Sequence, residues 1–128
     1  RKENICKNQI KKGRAGSREI IKNLIKGKSI ALMIDQRVRE GEKVKFFNNL
    51  ATTTTIPAQL VKKYKCELVP IYIERKKSNY FKIYISKPIK VSKTKSILEI
   101  TEFLNQVLEN MILKNVDQWI WTHDRWKS

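Results

Sequence analysis

One histidine, two cysteines and a scatter of arginines are the side chains of this 128-residue chain best equipped for chemistry, and their spacing restricts what they can do. Cys6 and Cys66 stand 60 positions apart and match neither a zinc-ligand pair nor a redox pair. With a single histidine beside them, no metal site is expected. His123, between Trp121 and Trp126, is the one candidate general base near neutral pH. The local sequence offers it no nucleophile, so a structural hydrogen-bonding role is expected. There is no phosphate-cradling glycine loop and no Gly-x-Ser-x-Gly elbow. No catalytic residue is assigned to the chain, and no cofactor.

Binding chemistry is better represented. Asp35-Gln36 follows the apolar run Ser29 to Ile34, and polar residues at the carboxyl end of a buried strand are where α/β folds place ligand contacts. Asp35 could equally cap the next turn or pair with a lysine. Arg14 and Arg18 before that run, and Arg37 and Arg39 after it, are suited to phosphate or carboxylate. Taken singly, each arginine fits a solvated surface as well.

The elements that must position these residues follow from periodicity. Ile20, Ile21, Leu24 and Ile25 recur at helical spacing from Ala15, with Gly27 placed for a left-handed cap. Ser29 to Ile34 reads as a strand buried on both faces. Arg37 to Lys43 reads as a loop, Val44 to Phe47 as a short apolar patch, and Asn48-Asn49 as a turn. Thr52 to Thr55 before Pro57 reads as a helix start, with Ala58, Leu60, Val61 and Tyr64 facing inward. Leu68 to Ile73 and Tyr80 to Ile85 read as strands of a hairpin. Ser96 and Glu99 match a capping box, followed by one apolar face from Ile97 to Ile112. The order indicates an α/β fold rather than separated classes.

The last ten residues hold three tryptophans, His123 and Arg125, which argues for a docked chain end rather than a frayed one. The chain opens on Arg1-Lys2-Glu3-Asn4 without an initiator methionine, so either a processed product or a piece of a longer polypeptide is expected. No apolar run approaches the roughly 18 residues of a membrane span. The 28 basic and 12 acidic side chains leave +16, which favours anionic partners: nucleic acid, an anionic membrane, phosphorylated lipid or an acidic protein. Residues 1 to 64 carry +11 of this charge.

In sequence order, Lys26-Gly27, Met33-Ile34-Asp35-Gln36, Gly41, Val44-Lys45-Phe46-Phe47, Ala51-Thr52-Thr53, Pro57-Ala58, Val69-Pro70 and Trp121-Thr122-His123-Asp124-Arg125-Trp126-Lys127 form a pattern over nearly the whole chain. It resembles the bacterial lipid A biosynthesis acyltransferases, the lauroyl and myristoyl transferases of the lysophospholipid acyltransferase superfamily. The resemblance implies an enzyme at the cytoplasmic face of the bacterial inner membrane. Such an enzyme moves a fatty acyl chain from acyl carrier protein to a hydroxyl of a phosphorylated lipid A precursor. Donor protein, acceptor phosphates and the anionic inner-membrane surface would all complement the positive charge.

The family's catalytic motif is a histidine followed five positions later by an aspartate or glutamate, and the residue five positions after His123 is Ser128. The resemblance therefore implies that residues 1–128 are one partial acyltransferase domain, its C-terminal half, with the motif and the membrane anchor upstream and no transferase activity of its own. It also implies a mixed-sheet domain flanked by helices, with Arg14 near the active site, Asp35 and Gln36 shaping the floor of the acceptor cleft, and His123, Arg125 and Trp126 forming a structural closing motif; Arg37, beside Gln36, is expected to bind substrate through its charge. Asn48 stands where the family commonly has glycine, and Asp124 where it commonly has a basic residue. A rival from another class is a noncatalytic basic nucleic-acid-binding domain, with Tyr80, Phe81 and Tyr84 as stacking residues. No binding signature accompanies those aromatics, and nucleic acid is not the expected partner.

Overall fold

A computed structural model describes residues 8–11 and 13–127 and divides the chain into two compact units that meet between Leu32 and Met33. In the first unit, helix α1 (Arg14–Ile25) ends as its sequence requires. Gly27 adopts φ +73°, the left-handed region that glycine enters without a Cβ penalty. Its N–H reaches the Leu24 carbonyl at 2.9 Å, and the Lys28 N–H reaches that of Asn23 at 3.0 Å. This double closure satisfies two carbonyls at the helix end.

The second unit runs from two short strands, β1 (Glu42–Phe46) and β2 (Asn49–Thr53), to helix α2 (Ile56–Tyr64). It continues through a second hairpin, β3 (Ile71–Lys77) and β4 (Tyr80–Ile85), to the long helix α3 (Ile97–Ile112), a 3-10 turn at Val116–Gln118 and the tail. Each pair of strands is antiparallel and makes its own two-stranded sheet. Helices and sheets intersperse along the chain, so the α/β class holds.

Three local readings change. Ser29 to Ile34 makes no strand, and Leu32 and Met33 are exposed. A strand buried on both faces needs neighbours for its backbone donors and acceptors, and β1 to β4 pair among themselves. The threonine run belongs partly to β2, and only Thr55 remains as the residue before α2. β3 begins at Ile71 rather than Leu68, which makes an isolated bridge to Ile89, and it extends to Lys77.

The β1–β2 turn is made by Phe47 (φ 46°) and Asn48 (φ 62°), a two-residue connection with both central residues left-handed. Asn48 tolerates that region through its short polar side chain, which is why asparagine can replace glycine there. Phe47 is held in it by its backbone N–H, which donates to Glu109 Oε1 on α3 at 2.7 Å. Gly41 precedes β1 at a point where an added Cβ would collide with the Thr53 carbonyl.

Helix α3 organises the core. At its C-terminal end Ile112 packs with Phe46 and Ala51, flanked by Leu108, Trp119 and Trp126. Nearer its start Ile100 and Leu104 pack with Ala58 of α2, flanked by Val61, Ile89 and Val91. The capping box forms in full: the Glu99 N–H donates to Ser96 Oγ at 3.2 Å and the Ser96 N–H to Glu99 Oε2 at 2.7 Å. One face of β3–β4 stays bare, with Ile71, Ile73, Phe81, Ile83 and Ile85 all exposed. Among the described residues no helix is long and apolar enough to cross a membrane.

Candidate functional site

The C-terminal tail enters the body of the second unit through Arg125, which is completely buried. A guanidinium removed from water needs acceptors in a fixed arrangement, and β2 supplies them, one from its backbone and one from a side chain. Nη1 donates to the Thr52 carbonyl at 2.6 Å and Nη2 to Thr53 Oγ1 at 2.8 Å. The guanidinium carbon also lies 5.3 Å from the Phe46 ring centroid, within cation–π range. Burial pushes the Arg125 pKa down, and the nearby Asp35 carboxylate partly offsets this by favouring the cation.

Thr53 is the centre of a buried polar knot. Its hydroxyl donates to the Ala51 carbonyl at 3.1 Å and accepts from both Arg125 and Asn105 Nδ2, the latter at 3.2 Å. Asn105 also donates to the Lys45 carbonyl of β1 at 2.8 Å. Asn105 Oδ1 and Arg125 Nε are buried without a partner among the described residues. The knot ties α3, both strands of the first hairpin and the chain end together.

The other tail residues join at its edge. Trp126 Nε1 donates to the Phe46 carbonyl at 3.0 Å, and its ring stacks on Phe46 with centroids 5.5 Å apart. Trp119 meets Phe46 edge-on at 5.8 Å. His123, exposed, accepts the Arg37 backbone N–H on Nε2 at 3.0 Å. That ring nitrogen is engaged in holding the chain. Through the Arg37 N–H to His123 hydrogen bond, the Asp35–Arg37 segment is tied to the tail.

The expected residues thus fall into three groups. Asp35 and Arg37, half-buried, and Gln36, exposed, are brought to the closing motif of His123, Arg125 and Trp126. Asp35 and Gln36 do so from an irregular segment rather than a strand end. Arg14 is the first residue of α1, and its side chain lies outside the described ones. Three residues of the site went unnoticed in the sequence: Thr53, Asn105 and Glu109. A signal for two of them existed, since Thr101, Asn105 and Glu109 follow Ile97 at four-residue intervals and so share one side of α3.

Among the described residues no group of His, Cys, Asp or Glu is placed to hold a metal ion. The arrangement holds a chain end and presents a polar Asp35–Arg37 segment, and it contains no assembled nucleophile and base. No curated protein matched the chain. Residues 4–128 match the family model for the bacterial lipid A biosynthesis acyltransferases, and the chain belongs to that family.

Proposed function

We propose that this chain is the C-terminal portion of an acyltransferase domain that moves a fatty acyl group from acyl carrier protein to a hydroxyl of a phosphorylated lipid A precursor, at the cytoplasmic face of the inner membrane. The family match over residues 4–128 carries the reading. The base comes from a His-x4-Asp/Glu motif upstream of Arg1, since the single histidine here is followed five residues later by Ser128 and is bonded to the Arg37 backbone. In mechanism that upstream histidine takes the proton of the acceptor hydroxyl as its oxygen attacks the thioester carbonyl, and the carrier thiol leaves.

Within that reaction this chain contributes acceptor binding. Arg37 takes a phosphate group of the precursor and Asp35 and Gln36 shape the floor on which the acceptor lies; Arg14 is assigned to substrate binding by the family resemblance alone. His123, Arg125 and Trp126 act indirectly by fixing the segment that carries Asp35 to Arg37.

Equilibrium binding of a phosphorylated lipid A precursor tests this, with duplex DNA as the competing polyanion. The precursor binds, and Arg37→Ala weakens it by about fivefold or more, as loss of one charge-assisted phosphate contact should. DNA binding with a steep salt slope and no response to the precursor would replace this reading with a nucleic-acid-binding one.

A further inference from the structure

We propose that the groove between the end of α2 and residues 87 to 93 docks an acidic polypeptide segment, and that the occupant is the protein carrying the acyl donor. The identity of that occupant rests on the acyltransferase reading above, and the groove's chemistry rests on its own residues.

The groove has a volume of about 580 Å³. Its floor is apolar: Val61, Ile89 and Val91 are half-buried there and pack on the Ala58, Ile100 and Leu104 cluster, so the floor is fixed by the core. Four exposed lysines, Lys65, Lys87, Lys90 and Lys93, rim it. Among the described residues none of the four makes a side-chain hydrogen bond, an ion pair or a cation–π contact. Other lysines nearby are engaged: Lys62 Nζ donates to the Lys95 carbonyl at 2.6 Å, Lys95 sits over the Phe103 ring, and Lys76 pairs with Glu74. Residues 61 to 95 hold eleven basic and two acidic side chains. Of the two acids, only Glu67 lines the groove.

Four like charges around one concavity repel one another unless an anionic partner enters. The shape selects the kind of partner. A small anion has no use for an apolar floor, and a bilayer surface meets protruding rather than recessed apolar groups. An amphipathic helix fits both features, with its apolar ridge on Val61, Ile89 and Val91 and its carboxylates on the lysine rim. The lining is small, which suits a transient delivery partner rather than a permanent subunit.

Titration of the chain with acyl carrier protein at low salt tests the assignment, using K87E/K90E in the groove and K76E/K77E, of equal charge change, on β3. The groove variant weakens binding by about tenfold or more and the control by less than about twofold, because charge reversal acts most strongly at the contact itself. In a Cys6→Ser background, bound carrier slows alkylation of Cys66, which lines the groove. Equal losses in both variants, absence of carrier binding, or no protection of Cys66 would each overturn the proposal. So would a groove variant that loses binding to anionic phospholipid vesicles while keeping the carrier. If the lipid A precursor binds and the carrier does not, this inference alone falls. If the carrier binds in the groove and the precursor does not bind, the acceptor reading falls and the groove stands.

Discussion

Arg125 is the residue on which the closing motif depends. Two of its nitrogens satisfy the Thr52 carbonyl and the Thr53 hydroxyl, and its guanidinium carbon lies over the Phe46 ring. Arg125→Ala leaves both acceptors buried and opens a void, so a loss of about 2–4 kcal/mol in urea unfolding is expected. Arg125→Lys retains the charge but not the fork, and recovers only part of that loss. A change below about 0.5 kcal/mol for Arg125→Ala would show that the tail is not a structural clamp. At this scale the sequence was legible for Trp119 and Trp126, which pack against the Phe46 cluster, whereas Trp121 stays exposed. For Arg125 the resemblance indicated a structural role, but its burial and its partners were not legible, since arginine is ordinarily exposed and its acceptors lie more than 70 positions away. Thr53 was hidden for the same reason: nothing local distinguishes a threonine that centres a buried knot from one that caps a helix.

Among the elements, α3 was the most legible and is the most readily tested. Its capping box was read from Ser96 and Glu99 alone, because the motif is local and needs no tertiary partner. Ser96→Ala is expected to cost about 1 kcal/mol of stability. The Glu99 carboxyl is held below its usual range, first by the Ser96 backbone N–H and then by the Ser96 hydroxyl. A carboxylate with a depressed folded-state pKa stabilises at neutral pH, and the contribution disappears as pH falls through that lowered value. The stability difference between the native chain and Glu99→Gln should therefore be largest near neutrality and shrink on acidification. A difference independent of pH would contradict the ionised cap. The strands were read less well, for a physical reason. Tyr80 to Ile85 alternates cleanly and was placed correctly, whereas Ser29 to Ile34 is apolar enough for a strand but forms no ladder in this structure. Its neighbours, not its composition, decide the matter.

For the whole molecule, surface chemistry matters more than the core. Ile71, Ile73, Phe81, Ile83 and Ile85 make a bare apolar face on a two-stranded sheet, a combination that is marginal in water and prone to association. Sedimentation of the purified chain should show self-association that Ile73→Lys with Ile83→Lys removes while the unfolding midpoint of α3 is kept. A monomeric native chain would mean that this face needs no cover. The same surface carries the charge that the composition announced, and the structure locates an unpaired share of it around the groove of Lys65, Lys87, Lys90 and Lys93. Family membership was legible because its signals are spread over the chain in order; the proposed acceptor site was less so, because Arg37 and His123 meet only on folding.

The central claim is that the chain supplies the acceptor side of a lipid A acyltransferase and not its base. The most direct measurement is acyl transfer from acyl carrier protein to a phosphorylated lipid A precursor, followed by mass spectrometry of the lipid. It compares the chain alone with the polypeptide of its complete reading frame. No product is expected from the chain alone. Acylated precursor is expected from the longer polypeptide, with a loss of about 100-fold or more when the histidine of its His-x4-Asp/Glu motif is replaced by alanine. Transfer catalysed by the 128 residues alone, or none by the complete polypeptide, would contradict that claim.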